Sequence, residues 1–294
     1  MLPPDIGRHV RRLQIRARRT VESLLGGAYS SAFKGAGFTF TDVRAYQPGD
    51  DVRSIDWNVT ARLGQPYLKR YIEERELTVL LVIDASASLD FGSRRLSKRA
   101  VVAELAAVLA FAALYNNDRV GLLIVTDRVE HYVPPRRGGR HGQRILRDVL
   151  FFEPRGHGTD LQAGLDALMR SQRRRAVVFL FSDFADTGFE RALRRAGRRH
   201  DLVAVHIRDP LEDALPDVGI LEVSDAETGR QAMIDTRSPA VRSAYALATA
   251  ERNADLVRAV RAADAELIEV STDGGHLDTL IRFFRRRQRR RRPP

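Results

Sequence analysis

A chain of 294 residues, 44% of them hydrophobic, has material for one large domain or two small ones. It contains no Cys, which excludes a disulfide framework, thiolate catalysis and any Cys-based zinc site. The formal charge of +11 lies at the ends: residues 282–292 hold eight Arg and no acid, and residues 1–19 hold six Arg against Asp5, so the body between is close to neutral.

That placement argues against a nucleic-acid-binding body and leaves only the termini for weak contact with an anionic membrane surface. The N-terminus lacks the continuous apolar run of a signal peptide. The longest apolar helical run, Ala100–Tyr115, is interrupted by Glu104 and falls short of a membrane span. A soluble, cytoplasmic protein is the expectation.

In chain order, Asp5–Leu25 reads as an amphipathic helix, with Val10, Leu13, Ala17, Val21 and Leu24 on one stripe and Gly26-Gly27 ending it. The dense segment Val43–Trp57 contains the tight-turn pair Pro48-Gly49, three acids, two arginines and the only Trp, with Arg62 just beyond. As a functional cluster, Asp50, Asp51 and Asp56 would form a second metal or acid–base centre. Their matched charges and the lack of any His favour an ion-pair and hydrogen-bond network instead. In it Arg44, Arg53 and Arg62 hold the turn against the main sheet, and Trp57 is a packing anchor. Pro66–Glu73 reads as a strand.

The almost unbroken apolar run Leu77–Ile83 has the pattern of a strand buried on both faces. Polarity then flips to Asp84-Ala85-Ser86-Ala87-Ser88, at the strand end where open α/β sheets bind ligands. One carboxylate and two hydroxyls at alternate positions are hard oxygen donors suited to Mg²⁺ or Mn²⁺. Ser97–Tyr115 reads as a buried helix, Arg119–Thr126 as a second buried strand and Val129–Val133 as a short edge strand. Pro134–Gly142 reads as a basic, glycine-rich connecting loop without a phosphate-loop pattern.

A short helix over Gln143–Phe152 leads to the loop Gly156-His157-Gly158-Thr159-Asp160 and a helix to about Gln172. Ala176–Ser182 is a third buried strand, with Asp183 at its carboxyl end. Phe189–Arg199 reads as a basic amphipathic helix and Leu202–Ile207 as a strand. Gly219–Val223 and Gln231–Asp235 flank a hairpin turn. Ser238 is expected to cap a long helix to about Ala263, and Glu266–Thr272 is a last strand. Leu277 starts a final helix, after which the arginine run reads as a solvated, partly disordered tail. The alternation predicts an α/β fold: a doubly wound, mainly parallel sheet flanked by helices, with one antiparallel edge. This core spans 76–272 with a hairpin insertion at about 209–237, preceded by a segment over 1–75 packed on it and followed by a helix and tail over 273–294.

Asp84-x-Ser86-x-Ser88, Thr159 and Asp183 fall on two strand ends and one loop that can meet at the top of such a sheet. Together they resemble the metal-ion-dependent adhesion site of von Willebrand factor A domains. More narrowly, Tyr46-x-Pro48-Gly49-Asp50-Asp51-x-Arg53-x-Ile55-Asp56-Trp57, Ala61-Arg62 and Asp84-x-Ser86-x-Ser88 resemble the bacterial domain-of-unknown-function family 58, typically found with MoxR-type AAA+ ATPases. The resemblance covers roughly Gly26–Thr272; Leu89, where a Met often follows the last Ser, is a volume-conserving departure.

It implies a von Willebrand factor A-like, Rossmann-type fold with a family-specific N-terminal extension. It also implies a Mg²⁺ or Mn²⁺ ion held by Asp84, Ser86, Ser88, Thr159 and Asp183. An acidic side chain of a partner would complete the ion's coordination, the partner being a MoxR-type ATPase or its client. The implied role is adaptor-like binding rather than catalysis. Two alternatives stand on the residues. One is a Mg²⁺-dependent phosphoryl-transfer or hydrolytic enzyme using Asp84, against which Ser86 occupies the place where a haloacid dehalogenase-type enzyme wants a second Asp. The other is a binder of nucleic acid or membrane surfaces through the basic ends. Neither a Gly-x-Ser-x-Gly elbow nor a His-Glu-x-x-His pair occurs.

Overall fold

The computed structural model describes residues 29, 32–33, 39–47, 50–52, 55–72 and 77–291. The helix expected over Asp5–Leu25, and Pro48, Gly49 and Arg53, lie outside them. The chain divides into two compact units, Phe33–Glu76 and the remainder.

In the smaller unit, β1 (Thr39–Ala45) leads to α1 (Trp57–Leu63) and then to β2 (Tyr67–Ile72), which pairs antiparallel with β1. Asp56 starts α1 by accepting the backbone N–H groups of Asn58 (3.0 Å) and Val59 (3.3 Å), two donors that the first helical turn leaves without partners. Gly64 ends it in the left-handed region, its N–H bonded to Thr60 O at 3.0 Å. The Arg44 guanidinium forks onto both oxygens of Asp50 at 2.7 Å, and Gln47 N–H adds a third bond at 2.9 Å. Asp50 and Asp56 therefore serve turn and helix. Trp57 differs from the expectation of a packing anchor: placed first in α1 by the Asp56 cap, it is 65% exposed. Arg62 lies in the last turn of α1, where a cation suits the helix's negative end, and Asp51 is exposed.

The larger unit begins with β3 (Thr78–Asp84), α2 (Lys98–Tyr115), β4 (Arg119–Val125), β5 (Val129–Arg136) and α3 (Gly139–Phe151). There follow α4 (Leu161–Ser171), β6 (Val177–Ser182), α5 (Glu190–Arg199), β7 (Asp201–Arg208) and the short α6 (Pro210–Asp213). The hairpin β8 (Ile220–Ser224) and β9 (Gln231–Asp235) precedes α7 (Pro239–Ala262), β10 (Glu266–Ser271) and α8 (His276–Arg291). Six strands form one sheet in the order β10-β7-β6-β3-β4-β5, parallel except for the edge strand β5. This is the expected doubly wound architecture. From β3 the chain builds outward through β4 and β5, then returns to lay β6 on the other side, so the topological switch point lies between β3 and β6.

Alternate strand residues face opposite layers. Leu80, Val82, Leu123, Val125, Val178, Leu180 and Leu202 form one core with Leu165 and Leu168 of α4, Leu193 of α5 and Leu256 of α7. On the other face Ile83 and Ile124 lie against Val102 and Ala103 of α2, and Phe179 meets Phe284 of α8 edge-on, with ring centroids 6.4 Å apart.

Three local expectations are corrected. There is no long loop over Pro134–Gly142: β5 runs to Arg136 and α3 starts at Gly139. Gly142 belongs to the helix because a Cβ there would come within 2.0 Å of Leu114 Cδ1, so its composition signals close helix packing and not a turn. Ser238 sits at the start of α7 but makes no capping bond through its side chain; Pro239, which needs no N–H partner, opens the helix instead. The arginine run continues α8 to Arg291 and is not a detached tail. Leu280, Ile281, Phe283 and Phe284 are buried, and so is Arg287, which pairs with Asp201 and donates to Ala32 O at 3.0 Å. Only Arg282, Arg285, Arg286, Arg289 and Arg290 are exposed among Arg282–Arg290. No helix among the described residues is long and apolar enough to cross a membrane.

Arg287→Ala should cost roughly 3–5 kcal/mol in urea unfolding, because it leaves a carboxylate without its buried partner. Arg290→Ala on the same helix should stay within about 0.5 kcal/mol; equal effects would show that α8 does not pack through Arg287. A second expectation concerns pH. His200 is buried, neither ring nitrogen has a hydrogen-bond partner among the described residues, and burial, with Arg199 and Arg175 nearby, lowers its pKa to about 4. The unfolded chain takes up this proton near pH 6.5 and the folded chain only near 4, so stability present at neutral pH is lost as the pH falls through that window. The shift corresponds to about 3 kcal/mol. Asp118, pushed up to about 6 by burial, acts in the opposite direction by protonating first in the folded state. Comparison of His200→Leu with the native chain isolates the imidazole: between pH 7 and 4 the variant should gain about 3 kcal/mol relative to native. Parallel profiles would refute a buried neutral His200.

Candidate metal centre

Parallel register sets Ile83 beside Phe181, which brings Asp84 at the end of β3 alongside Ser182 at the end of β6. Ser182 donates its hydroxyl to Asp84 Oδ2 at 2.7 Å, and Ser86 N–H donates to Asp84 Oδ1 at 2.9 Å. Asp84 is 1% exposed; burial, then the nearby charge of Asp183, pushes its pKa up to about 6 against the pull of these hydrogen bonds. Ala87–Asp90 turns back as a short 3-10 segment, leaving the Ser86 and Ser88 hydroxyls 3.1 Å apart. Ser88 lies close enough to Asp183 to help lower its pKa. The Ser182 hydroxyl also accepts Phe184 N–H at 2.9 Å, and Phe184 holds a left-handed φ of 53°, a conformation that costs energy for a non-glycine residue. That strained corner presents Asp183.

Lys98, the first residue of α2, is fully buried with its Nζ 2.7 Å from Asp183 Oδ2 and 2.6 Å from Glu212 Oε1. Burial alone would lower the ammonium's pKa, but Asp183 and Glu212 more than offset this and raise it. Asp183 is held below its usual value despite burial, chiefly by Lys98, whereas burial raises Glu212.

The loop carrying Thr159 is fastened on both sides. Ala87 N–H bonds His157 O at 3.0 Å, and Asp160 N–H bonds Thr126 O at 3.0 Å. Gly156 lets the loop approach: a Cβ there would meet Asp127 Oδ1 at 2.2 Å and Thr126 Oγ1 at 2.3 Å. Thr159 itself donates to Glu227 Oε1 at the tip of the β8–β9 hairpin.

The structure thus joins Asp84, Ser86 and Ser88 through hydrogen bonds, sets Asp183 beside them through the Ser182 corner and ties the Thr159 loop to the same place. Asp50, Asp51, Asp56 and Arg62 belong to the other compact unit. Four residues of the centre escape sequence reasoning: Ser182, Lys98, Glu212 and Glu227. Lys98 had a signal, being one of only three Lys beside a multitude of Arg; Glu212 and Glu227 had none, because only folding brings them near. The donor set fits a hard divalent cation, with neutral hydroxyls beside two carboxylates, one already gripping a cationic amine. Among the described residues no group of three or more His, Asp or Glu is placed to hold a metal ion, so any ion here would depend on the hydroxyls.

These observations define a doubly wound α/β protein with a hydroxyl–carboxylate crevice at its switch point. The chain belongs to the family described as protein of unknown function DUF58, which matches residues 42–255. It is 36% identical over 291 residues to the uncharacterized proteins Rv1480 of Mycobacterium tuberculosis and Mb1516 of Mycobacterium bovis, covering 97% of this chain and 91% of each relative. Solved structures similar to it include BatB from Bacteroides thetaiotaomicron (TM-score 0.46, 14% identity, 72% of this chain and 99% of that one). The SpRpn10 VWA domain is a further match (TM-score 0.41, 15% identity, 70% and 93%).

Replacing Lys98 by Met, similar in length but uncharged, should cost roughly 3–5 kcal/mol in urea unfolding, since Asp183 would remain buried without its partner. A loss below about 1 kcal/mol would show that the ammonium is dispensable to the fold.

Proposed function

We propose that the chain is a metal-dependent protein-interaction module in which Asp84, Ser86, Ser88, Thr159 and Asp183 hold Mg²⁺ or Mn²⁺ for an acidic side chain of a partner. The observation that supports this reading is the meeting of two hydroxyls and two carboxylates at the carboxyl ends of β3 and β6. When bound, the cation would supply a Lewis-acidic position for a carboxylate oxygen. The chain's own residues prepare for it. Ser182 and Ser86 fix Asp84 in one orientation, Lys98 fixes Asp183, and Ser86 and Ser88 offer neutral oxygens. Only two of the five oxygen ligands are carboxylates and the rest are neutral hydroxyls, so the protein leaves a coordination position open to an external acid.

From the family resemblance, the proposed partner is a MoxR-type AAA+ ATPase or its client, met in the bacterial cytoplasm. Asp84 is ill suited to nucleophilic attack, because it is buried and both its oxygens accept hydrogen bonds. The reading is therefore of a binding module without turnover.

Ser88→Ala is the informative variant, since Asp183→Ala would also take from the buried Lys98 ammonium one of its two carboxylate partners. Mn²⁺ at a hundredfold excess over its dissociation constant should stabilise the native chain by about 2.7 kcal/mol. That is a rise of roughly 5–10 °C in Tm, largely absent in Ser88→Ala. Capture of a purified MoxR-type ATPase should need the cation and fail with chelator or with Ser88→Ala. Equal capture by both proteins would remove the metal bridge from the mechanism.

A further inference from the structure

The β8–β9 hairpin reaches back to the crevice from 68 residues further along the chain. Glu227 at its tip accepts the Thr159 hydroxyl at 2.5 Å, and among the described residues that hydroxyl is the only hydrogen-bond partner of its carboxylate. Neighbouring acids are otherwise engaged: Asp127 is held by Arg128 and Thr126, and Glu130 by Thr126 and the N–H of Gly156. The tip is rigid. Asp225 accepts the N–H groups of Glu227 (2.9 Å) and Thr228 (3.0 Å), and Gly229 closes the turn at a φ of 68°.

The arm behind it is loosely packed. No residue of β8 or β9 is fully buried, and Ile220 and Met233 are 61% and 67% exposed. Its base is narrow: Thr236 donates to Gly219 O at 2.6 Å and accepts Val218 N–H at 3.1 Å, beside Gly219 at a φ of 93°. Arg242 holds this base as well, donating to Arg237 O at 3.0 Å and pairing with Asp217 at 3.2 Å, so the rigid acidic tip and its lightly packed arm are suited to move as a unit beyond it.

We propose that Glu227 is a tethered acidic ligand of the crevice's Thr159 side: it holds the Thr159 hydroxyl in cis on the side that a partner's carboxylate would approach, and the β8–β9 arm swings away when a partner binds. The inference rests on the metal-site reading above. Its logic is competition. An acid carried on the same chain has a high effective concentration at the crevice, so only a partner with additional contacts displaces it.

Mn²⁺ affinity measured by electron paramagnetic resonance tests this on the full-length native chain, Glu227→Gln and Ser88→Ala. Trypsin cleavage after the exposed Arg230, with and without Mn²⁺, reports the arm. Glu227→Gln should melt like the native chain without metal, since residue 227 is exposed. It should bind Mn²⁺ roughly tenfold more weakly, and should lose the protection of Arg230 that Mn²⁺ gives the native arm. Equal Mn²⁺ affinity in native chain and Glu227→Gln, with Ser88→Ala impaired, overturns the tethered ligand and leaves the metal site standing. Absence of Mn²⁺ binding by the native chain overturns both.

Discussion

Across the seam between β3 and β6, Ser182 gives its hydroxyl to Asp84, and the site depends on that bond. Backbone register makes the two residues neighbours, so no loop has to find the geometry. Burial makes the bond necessary: a carboxylate taken from water into the sheet's edge must recover its lost hydrogen bonds or give up its charge. Asp84 does some of each, with both oxygens bonded and its pKa raised. Because Ser182 also receives the N–H of Phe184, one hydroxyl sets the orientation of the acid on β3 and the corner that presents the acid after β6.

Charge is balanced separately from geometry. Asp84 and Asp183 repel one another, and Lys98 pairs with Asp183 and Glu212. An ammonium with no exposed surface, fixed at the start of a helix that is itself almost wholly buried, cannot leave to make room for another cation. It therefore acts as a permanent counter-charge rather than a placeholder, and what remains for a ligand is the side of the crevice lined by hydroxyls. Those hydroxyls are neutral oxygen donors, so they line that side without adding negative charge.

How far the sequence revealed this varies with the physics of each element. The central strands were legible because burial on both faces leaves a continuous apolar run followed by an abrupt polar one, and Asp84 and Asp183 could be placed at strand ends on that ground alone. The N-terminal end of α3 was not, since Gly142 looks like a loop residue until Leu114 is seen filling the space a side chain would need. Charge misled at α8. Eight arginines outweighed the helical spacing of Leu280, Ile281, Phe283, Phe284 and Arg287, although that spacing already described a buried stripe. Trp57 misled in the opposite sense, because hydrophobic size suggested an anchor where the Asp56 cap fixes the residue in an exposed first turn. Lys98 with Glu212, and Thr159 with Glu227, meet across 68 residues or more, and no local pattern encodes such meetings.

The crevice therefore has two sides of different mechanical character. Asp84, Ser86, Ser88 and Asp183 are set on strand ends within a dense core, where neighbouring groups fix each side chain and displacement would expose buried charge. Thr159 and Glu227 come from a loop and an exposed hairpin that bury little. Local opening costs least where few apolar contacts are lost, so thermal motion concentrates on the second side and spares the first. A ligand that favours the open arm over the closed one can shift that balance only by the difference in its own affinity for the two. Because the strand-end side keeps its form in either position, that difference can be spent on moving the hairpin and not on rebuilding the site. The doubly wound topology accounts for the first side, since it places strand ends and the Thr159 loop at one edge of the sheet, whereas the exposed second side is completed by the β8–β9 hairpin, a separate two-stranded insertion.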